Sequence, residues 1–210
     1  MLSRTGRPLA RILFGPVARI FVRIGISANT VTVLGTVLTV VAVLTFFPLG
    51  YLRTGTVVAA VLVIFDNLDG QIARSTHTDS KWGAFLDSTM DRIADAAVNA
   101  GILIWAYLWA DAGCRVWILG GTLAALIFGS VVPYARARAE AVGMNAAIGI
   151  AERADRLAFT GICVFLVGCG LSEWILAVGM WILAFLAAIT SAQRIYTVYR
   201  QCASLRQVSR

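Results

Sequence analysis

Val57-Val58-Ala59-Ala60-Val61-Leu62-Val63-Ile64-Phe65-Asp66-Asn67-Leu68-Asp69-Gly70 is an unbroken apolar run that ends in two carboxylates three residues apart. Counted from the start of the apolar stretch near residue 54, Asp66 falls about a dozen residues along a helix, roughly 18 Å at 1.5 Å per residue. A lone carboxylate at that depth in hydrocarbon costs at least about 2.5–3.5 kcal/mol, so a partner cation or a water-filled cavity is implied.

Working downstream, Asp79, Asp87, Asp91 and Asp95 follow within the same short stretch, so six of the eleven acidic residues are gathered here. Asp66 and Asp69 share one helical face at a spacing of three, and Asp87 and Asp91 share another at a spacing of four. Two such faces form a cage of carboxylates that repel one another unless a cation joins them. Hard oxygen donors select magnesium, calcium or manganese, and no Cys or His stands in the cluster to favour zinc. His77, the sole histidine, reads as solvated. Gly70 and Gly83 flank the aspartates, where each either admits a ligand to the backbone or simply lets helices approach.

The rest of the chain places this cluster in a membrane. Of 210 residues, 59% are hydrophobic and 14% charged, and the mean hydropathy is +0.81. These values lie outside the range of water-soluble domains. Apolar runs near 30–49, 54–75, 82–110, 115–141, 156–171 and 174–200 predict an all-α integral membrane protein of six transmembrane helices. Residues 1–25 interleave Arg4, Arg7, Arg11, Arg19 and Arg23 with Leu9, Ile12, Leu13, Ile20, Phe21 and Ile24. That pattern predicts an N-terminal amphipathic helix at the membrane surface, with a solvated basic tail as the alternative, and it lacks a cleavable signal. The domain plan is therefore a juxtamembrane segment, 1–25, and one six-helix domain, 26–210. Cys114, Cys163, Cys169 and Cys202 show no metal-ligand spacing.

Six spans put both termini on one side. Of the 18 Lys and Arg residues, only Arg53 and Arg115 fall on the opposite side. Positive charge accumulates in cytoplasmic loops, so both termini and the aspartate cluster are expected to face the cytoplasm. The net charge of +7 is thus read as orientation and as attraction to anionic lipid and phosphate-bearing substrates, with no nucleic-acid partner.

The pattern Asp66-x-x-Asp69-Gly70-x-x-Ala73-Arg74, followed by Gly83-x-x-x-Asp87-x-x-x-Asp91, resembles the signature of the CDP-alcohol phosphatidyltransferases at every fixed position. The resemblance implies that Asp66, Asp69, Asp87 and Asp91 hold one or two Mg2+ or Mn2+ ions against the diphosphate of a CDP-linked lipid. It further implies that Asp91 is the base for the acceptor hydroxyl, and that the protein is a homodimer in a bacterial plasma membrane. Asp69, Gly70, Arg74 and Gly83 are expected at the CDP donor. Asn29 and Thr32, in an element similar to the family's Asn-x-Val-Thr, are donor-side candidates whose alternative is helix capping. Asp95, outside the signature, is expected to pair with an arginine.

For the acceptor, Arg136, Arg138, Arg153, Arg156 and Arg194 bring positive charge to the same face and suit an alcohol that carries its own phosphate. Pro133-Tyr134-Ala135-Arg136-Ala137-Arg138-Ala139-Glu140 and Glu152-Arg153-Ala154-Asp155-Arg156 resemble elements of the bacterial inositol-phosphate branch of the family, with Pro133 in place of a serine and Arg136 in place of a lysine. The expected reaction joins CDP-diacylglycerol and inositol phosphate. Glycerol-3-phosphate is the alternative acceptor, and a divalent-cation transporter is the alternative of a different class.

Overall fold

The computed structural model describes residues 27–66, 80–150 and 153–208, without the side chains of 64–66 and 205–208. Within them are six helices: α1 (Ala28–Phe46), α2 (Leu52–Asp66), α3 (Lys81–Trp109), α4 (Ala112–Ala141), α5 (Arg153–Gly168) and α6 (Trp174–Val208). No strand occurs among the described residues. The amphipathic segment expected over 1–25 lies outside them, as do Asp69, Gly70, Arg74, His77 and Glu152.

Each expected apolar run overlaps a helix; the part of the second run beyond Asp66 lies outside the described residues, and the last helix continues to Val208, past the expected end at 200. Among the described residues three helices are long and apolar enough to cross a membrane by themselves: α1, α4 and the Trp174–Ser204 part of α6. This makes the chain a membrane protein, and it also qualifies the expectation of six spans. In α2 the described apolar part, Leu52–Val63, is shorter. Asp87, Asp91, Arg92 and Asp95 interrupt α3, and α5 has only 16 residues. A span needs about 20 apolar residues, so these three do not qualify on length and apolarity alone.

The helices pack as a closed ring in which the spatial order differs from the chain order. Helix α1 packs on α2 and α3, α3 on α4, α4 on α6, α6 on α5, and α5 back on α2. The ring has two unlike ends. Val43, Phe47, Leu52, Ile102, Trp105, Ala106, Ile118, Val164, Leu176 and Met180 form a buried apolar core where α1, α3 and α5 end and α2, α4 and α6 begin. Small residues let the backbones approach here, as they do generally between membrane helices. A Cβ on Gly101 would stand 3.0 Å from the Phe47 ring, and one on Gly121 would stand 2.9 Å from Trp181.

Long-range hydrogen bonds fasten the same end. Trp109 Nε1 donates to the Pro48 carbonyl at 2.9 Å, while Glu173 Oε2 accepts from the Asp111 amide and from Cys114 Sγ, both at 2.9 Å. The Asp111 side chain itself makes no capping bond, so Glu173 satisfies an amide at the start of α4 from across the fold. At the opposite end the helices separate around a cavity.

Candidate functional site

That cavity, of about 480 Å³, lies between α3, α4, α5 and α6. Its α3 wall carries Ser88, Thr89, Asp91, Arg92, Asp95 and Asn99, residues that recur on one face because they lie three or four apart. Its α4 wall carries Gly129, Ser130, Pro133 and Tyr134, and α5 contributes Arg156. Leu183 and Ala187 of α6 close its apolar side.

A charge network runs along the α3 wall. Arg153, in the first turn of α5, binds Asp91 Oδ1 through Nη1 at 2.7 Å and Asp95 Oδ1 through Nε at 3.0 Å. Arg92 Nη2 lies 3.3 Å from Asp95 Oδ2. All four side chains are half-buried. Asp95 therefore has the arginine partnership expected of it, from two sides. Arg92 was not singled out in the sequence, although its place one residue after Asp91 and three before Asp95 was the available signal.

The remaining site candidates divide by location. Asp87 is exposed, one turn N-terminal to Asp91 on α3, and Asp66 is the last residue of α2, its side chain outside the described set. Among the described residues no group of three or more Asp, Glu, His or Cys side chains is placed to hold a metal. Asp87 and Asp91, the signature carboxylates whose side chains are described, offer oxygen donors, which match a hard divalent cation.

At the start of α1, Ser27 is the cap: its Oγ accepts from the Thr30 amide at 3.2 Å. Asn29 is thus not needed for capping. Its Oδ1 instead lies beside Gly83, where an added Cβ would stand 3.3 Å away. Two donor-side candidates from different helices meet there. Thr32 is buried and donates to the Ala28 carbonyl at 3.1 Å. Gly83 occupies the first turn of α3, its amide bound to Ser80 Oγ at 3.0 Å.

Of the acceptor arginines, only Arg156 lines the cavity, and among the described residues no carboxylate lies within ion-pair distance of it. Arg153 is engaged with Asp91 and Asp95. Arg194 donates from Nε to the Ile148 carbonyl at 2.8 Å and from Nη1 to the Val132 carbonyl, bridging α6 to α4 and to the connection after it. Arg136 pairs with Glu140 at 2.9 Å on the exposed side of α4, and Arg138 is exposed in the last turn of that helix.

Residues 25–190 match the family model described as CDP-alcohol phosphatidyltransferase. The chain belongs to this family. The transferase is 40% identical over 192 residues to the phosphatidylinositol phosphate synthase of Mycobacterium tuberculosis, covering 88% of this chain and 84% of that protein. Crystal structures of the M. tuberculosis synthase are similar in fold. The complex with manganese and citrate superposes with a TM-score of 0.82 at 38% identity, covering 88% of each chain. The form with CDP-DAG bound gives 0.81 at 38% identity, covering 88% of this transferase and 92% of that chain.

Proposed function

We propose that this transferase moves the phosphatidyl group of CDP-diacylglycerol onto inositol phosphate, giving phosphatidylinositol phosphate and CMP. The observation that carries the proposal is one cavity with Asp91 on one wall and, on another, Arg156, which has no carboxylate within ion-pair distance among the described residues. A proton acceptor and a phosphate-binding group then address one small molecule. The relatives' names agree with that acceptor.

In this reading the acceptor's phosphate is held by Arg156. Arg194 assists from further along α6, about two turns beyond Ala187, where two of its five N–H donors are used on backbone carbonyls. Arg136, Arg138 and Arg153 add positive potential at the cavity mouth. Asp91 accepts the proton of the attacking hydroxyl. Its Oδ1 is held by Arg153, which keeps the carboxylate oriented. The new phosphorus–oxygen bond forms to the acceptor as the diphosphate bond breaks, and CMP leaves with the bonding pair. Asn29, Thr32, Gly70, Arg74 and Gly83 receive the cytidine diphosphate, with Asp69 shared between donor and metal. Asp66, Asp69, Asp87 and Asp91 would hold one or two magnesium or manganese ions, whose contribution when bound is to neutralise the diphosphate and the charge developing on phosphorus.

The topology follows from the same picture. All six helices cross the bilayer as one ring. The cavity end and both termini face the cytoplasm of a bacterial cell, and the working unit is a homodimer.

The experiment that tests the acceptor is CMP release by purified protein with CDP-diacylglycerol and magnesium, offering inositol phosphate, glycerol-3-phosphate, inositol and serine separately. Inositol phosphate is expected to give the highest kcat/KM. A preference for glycerol-3-phosphate would make the protein a phosphatidylglycerophosphate synthase using the same cage.

A further inference from the structure

Helix α4 contains a proline, Pro133, in its interior. Proline has no amide hydrogen, so the carbonyl four residues earlier, that of Gly129, loses its helical donor, and the pyrrolidine ring pushes that carbonyl outward. Gly129 and Pro133 both line the cavity. Because they are one turn apart on the same face, the released carbonyl lies along that face.

Three further observations bear on what it meets. Ser130, the neighbouring hydroxyl, donates to Ile127 at 2.8 Å, and among the described residues no side-chain donor reaches Gly129. A Cβ at Gly129 would meet nothing within 4 Å, so the position is open to an incoming molecule. At the same turn the Val132 carbonyl accepts from Arg194 of α6, which shows that this part of α4 takes hydrogen bonds from outside the helix.

A carbonyl deprived of its helical donor is left to take one from whatever fills the cavity, water or ligand. The cavity's cations attract phosphate, and the oxygens of a dianionic phosphate cannot donate to a carbonyl, whereas the hydroxyls of a polyol can. We infer that Pro133 and Gly129 form a hydroxyl-recognition element, in which the Gly129 carbonyl accepts from a ring hydroxyl of the phosphorylated acceptor. The inference rests on the acceptor reading above and adds a residue pair that selects among polyol phosphates.

The test uses the full-length enzyme with saturating CDP-diacylglycerol. KM is measured for inositol phosphate and for a panel of its analogues, each lacking one hydroxyl. For the wild type, one analogue should show a KM about three- to tenfold higher, the range for one neutral hydrogen bond. Pro133→Ala restores the amide that occupies the Gly129 carbonyl. This variant should raise KM for inositol phosphate by a similar factor, leave kcat and the donor KM unchanged, and no longer discriminate against that analogue. Unchanged KM with full discrimination in Pro133→Ala would overturn the inference, as would an equal effect on donor and acceptor. The wild-type panel is decisive without any variant, because equal KM values for every analogue leave no hydroxyl for the carbonyl to bind. If the wild type releases no CMP with inositol phosphate, the acceptor reading falls and this subsite with it.

Discussion

Arg153 at the start of α5 and Asp91 in the middle of α3 form an ion pair of 2.7 Å across 62 residues of sequence. The same guanidinium holds Asp95 one turn further on and approaches the Asp91 carbonyl at 3.4 Å. A planar fork can hold both carboxylates at once, so Arg153 ties the Asp91–Asp95 wall of the cavity to α5.

Removing that fork is expected to impair chemistry more than binding. Arg153→Ala should lower kcat at least about tenfold, the equivalent of roughly 1.4 kcal/mol, because Asp91 loses a charge-assisted contact that orients it. Arg153→Lys should recover only part, since an ammonium lacks the fork geometry. Steady-state CMP release at saturating acceptor measures this. A pure rise in acceptor KM at constant kcat would instead put Arg153 on the acceptor's phosphate.

For the metal cage, Asp66→Asn, Asp69→Asn and Asp87→Asn should each abolish divalent-dependent transfer while the protein still accumulates in the membrane. Chelation should silence the wild type, and magnesium or manganese should restore it. Wild-type turnover by each variant at limiting magnesium would remove these residues from the cage.

Donor and acceptor recognition should separate at Arg156. Loss of a charge-assisted contact to a partly desolvated phosphate costs about 1.5–3 kcal/mol, or roughly ten- to more than a hundredfold in binding. Arg156→Ala should therefore raise the acceptor KM by that factor with the donor KM nearly unchanged. Arg194→Ala should do the same and also lower thermal stability, because its bonds to Val132 and Ile148 join α6 to α4 and the connection after it. Lys81→Ala serves as the control for surface charge. Equal weakening of donor and acceptor would merge the two subsites.

At the other end of the ring, Glu173→Ala should reduce stability without touching catalysis. It removes the acceptor shared by the Asp111 amide and the Cys114 thiol, a loss comparable to that of a helix cap at about 1 kcal/mol. For a chain of this size the melting temperature should fall by about 2–4 °C in detergent. An accompanying change in KM for either substrate would show that the two ends are coupled.

Topology is open to labelling in intact cells. Single cysteines near Arg53 and Arg115 should react from outside, whereas one at residue 145 should be protected, with reporters at both termini cytoplasmic. External reaction at residue 145 would reverse the orientation drawn from the arginine distribution.

The residues that decide fold class and chemistry were legible because both are local in sequence. Apolar runs near 20 residues dictate helices, and a spacing of three or four is enough to put Asp87, Asp91 and Asp95 on one face of α3. The capping alternative for Asn29 could not be resolved in that way, since it depended on Ser27 taking the cap and on Gly83 arriving from another helix. Nor could the order of the ring, in which α1 touches α3 and α4 touches α6. Such contacts depend on how side chains from distant segments fit, as Gly121 against Trp181 and Phe47 against Gly101 do. Composition and spacing alone were enough for a helical membrane protein in which six of the eleven acidic residues gather in one short stretch. Which arginine binds which aspartate, and which one is left facing the cavity, came only from folding, because the ion pair between residues 91 and 153 exists only once the closed ring brings α3 and the start of α5 together.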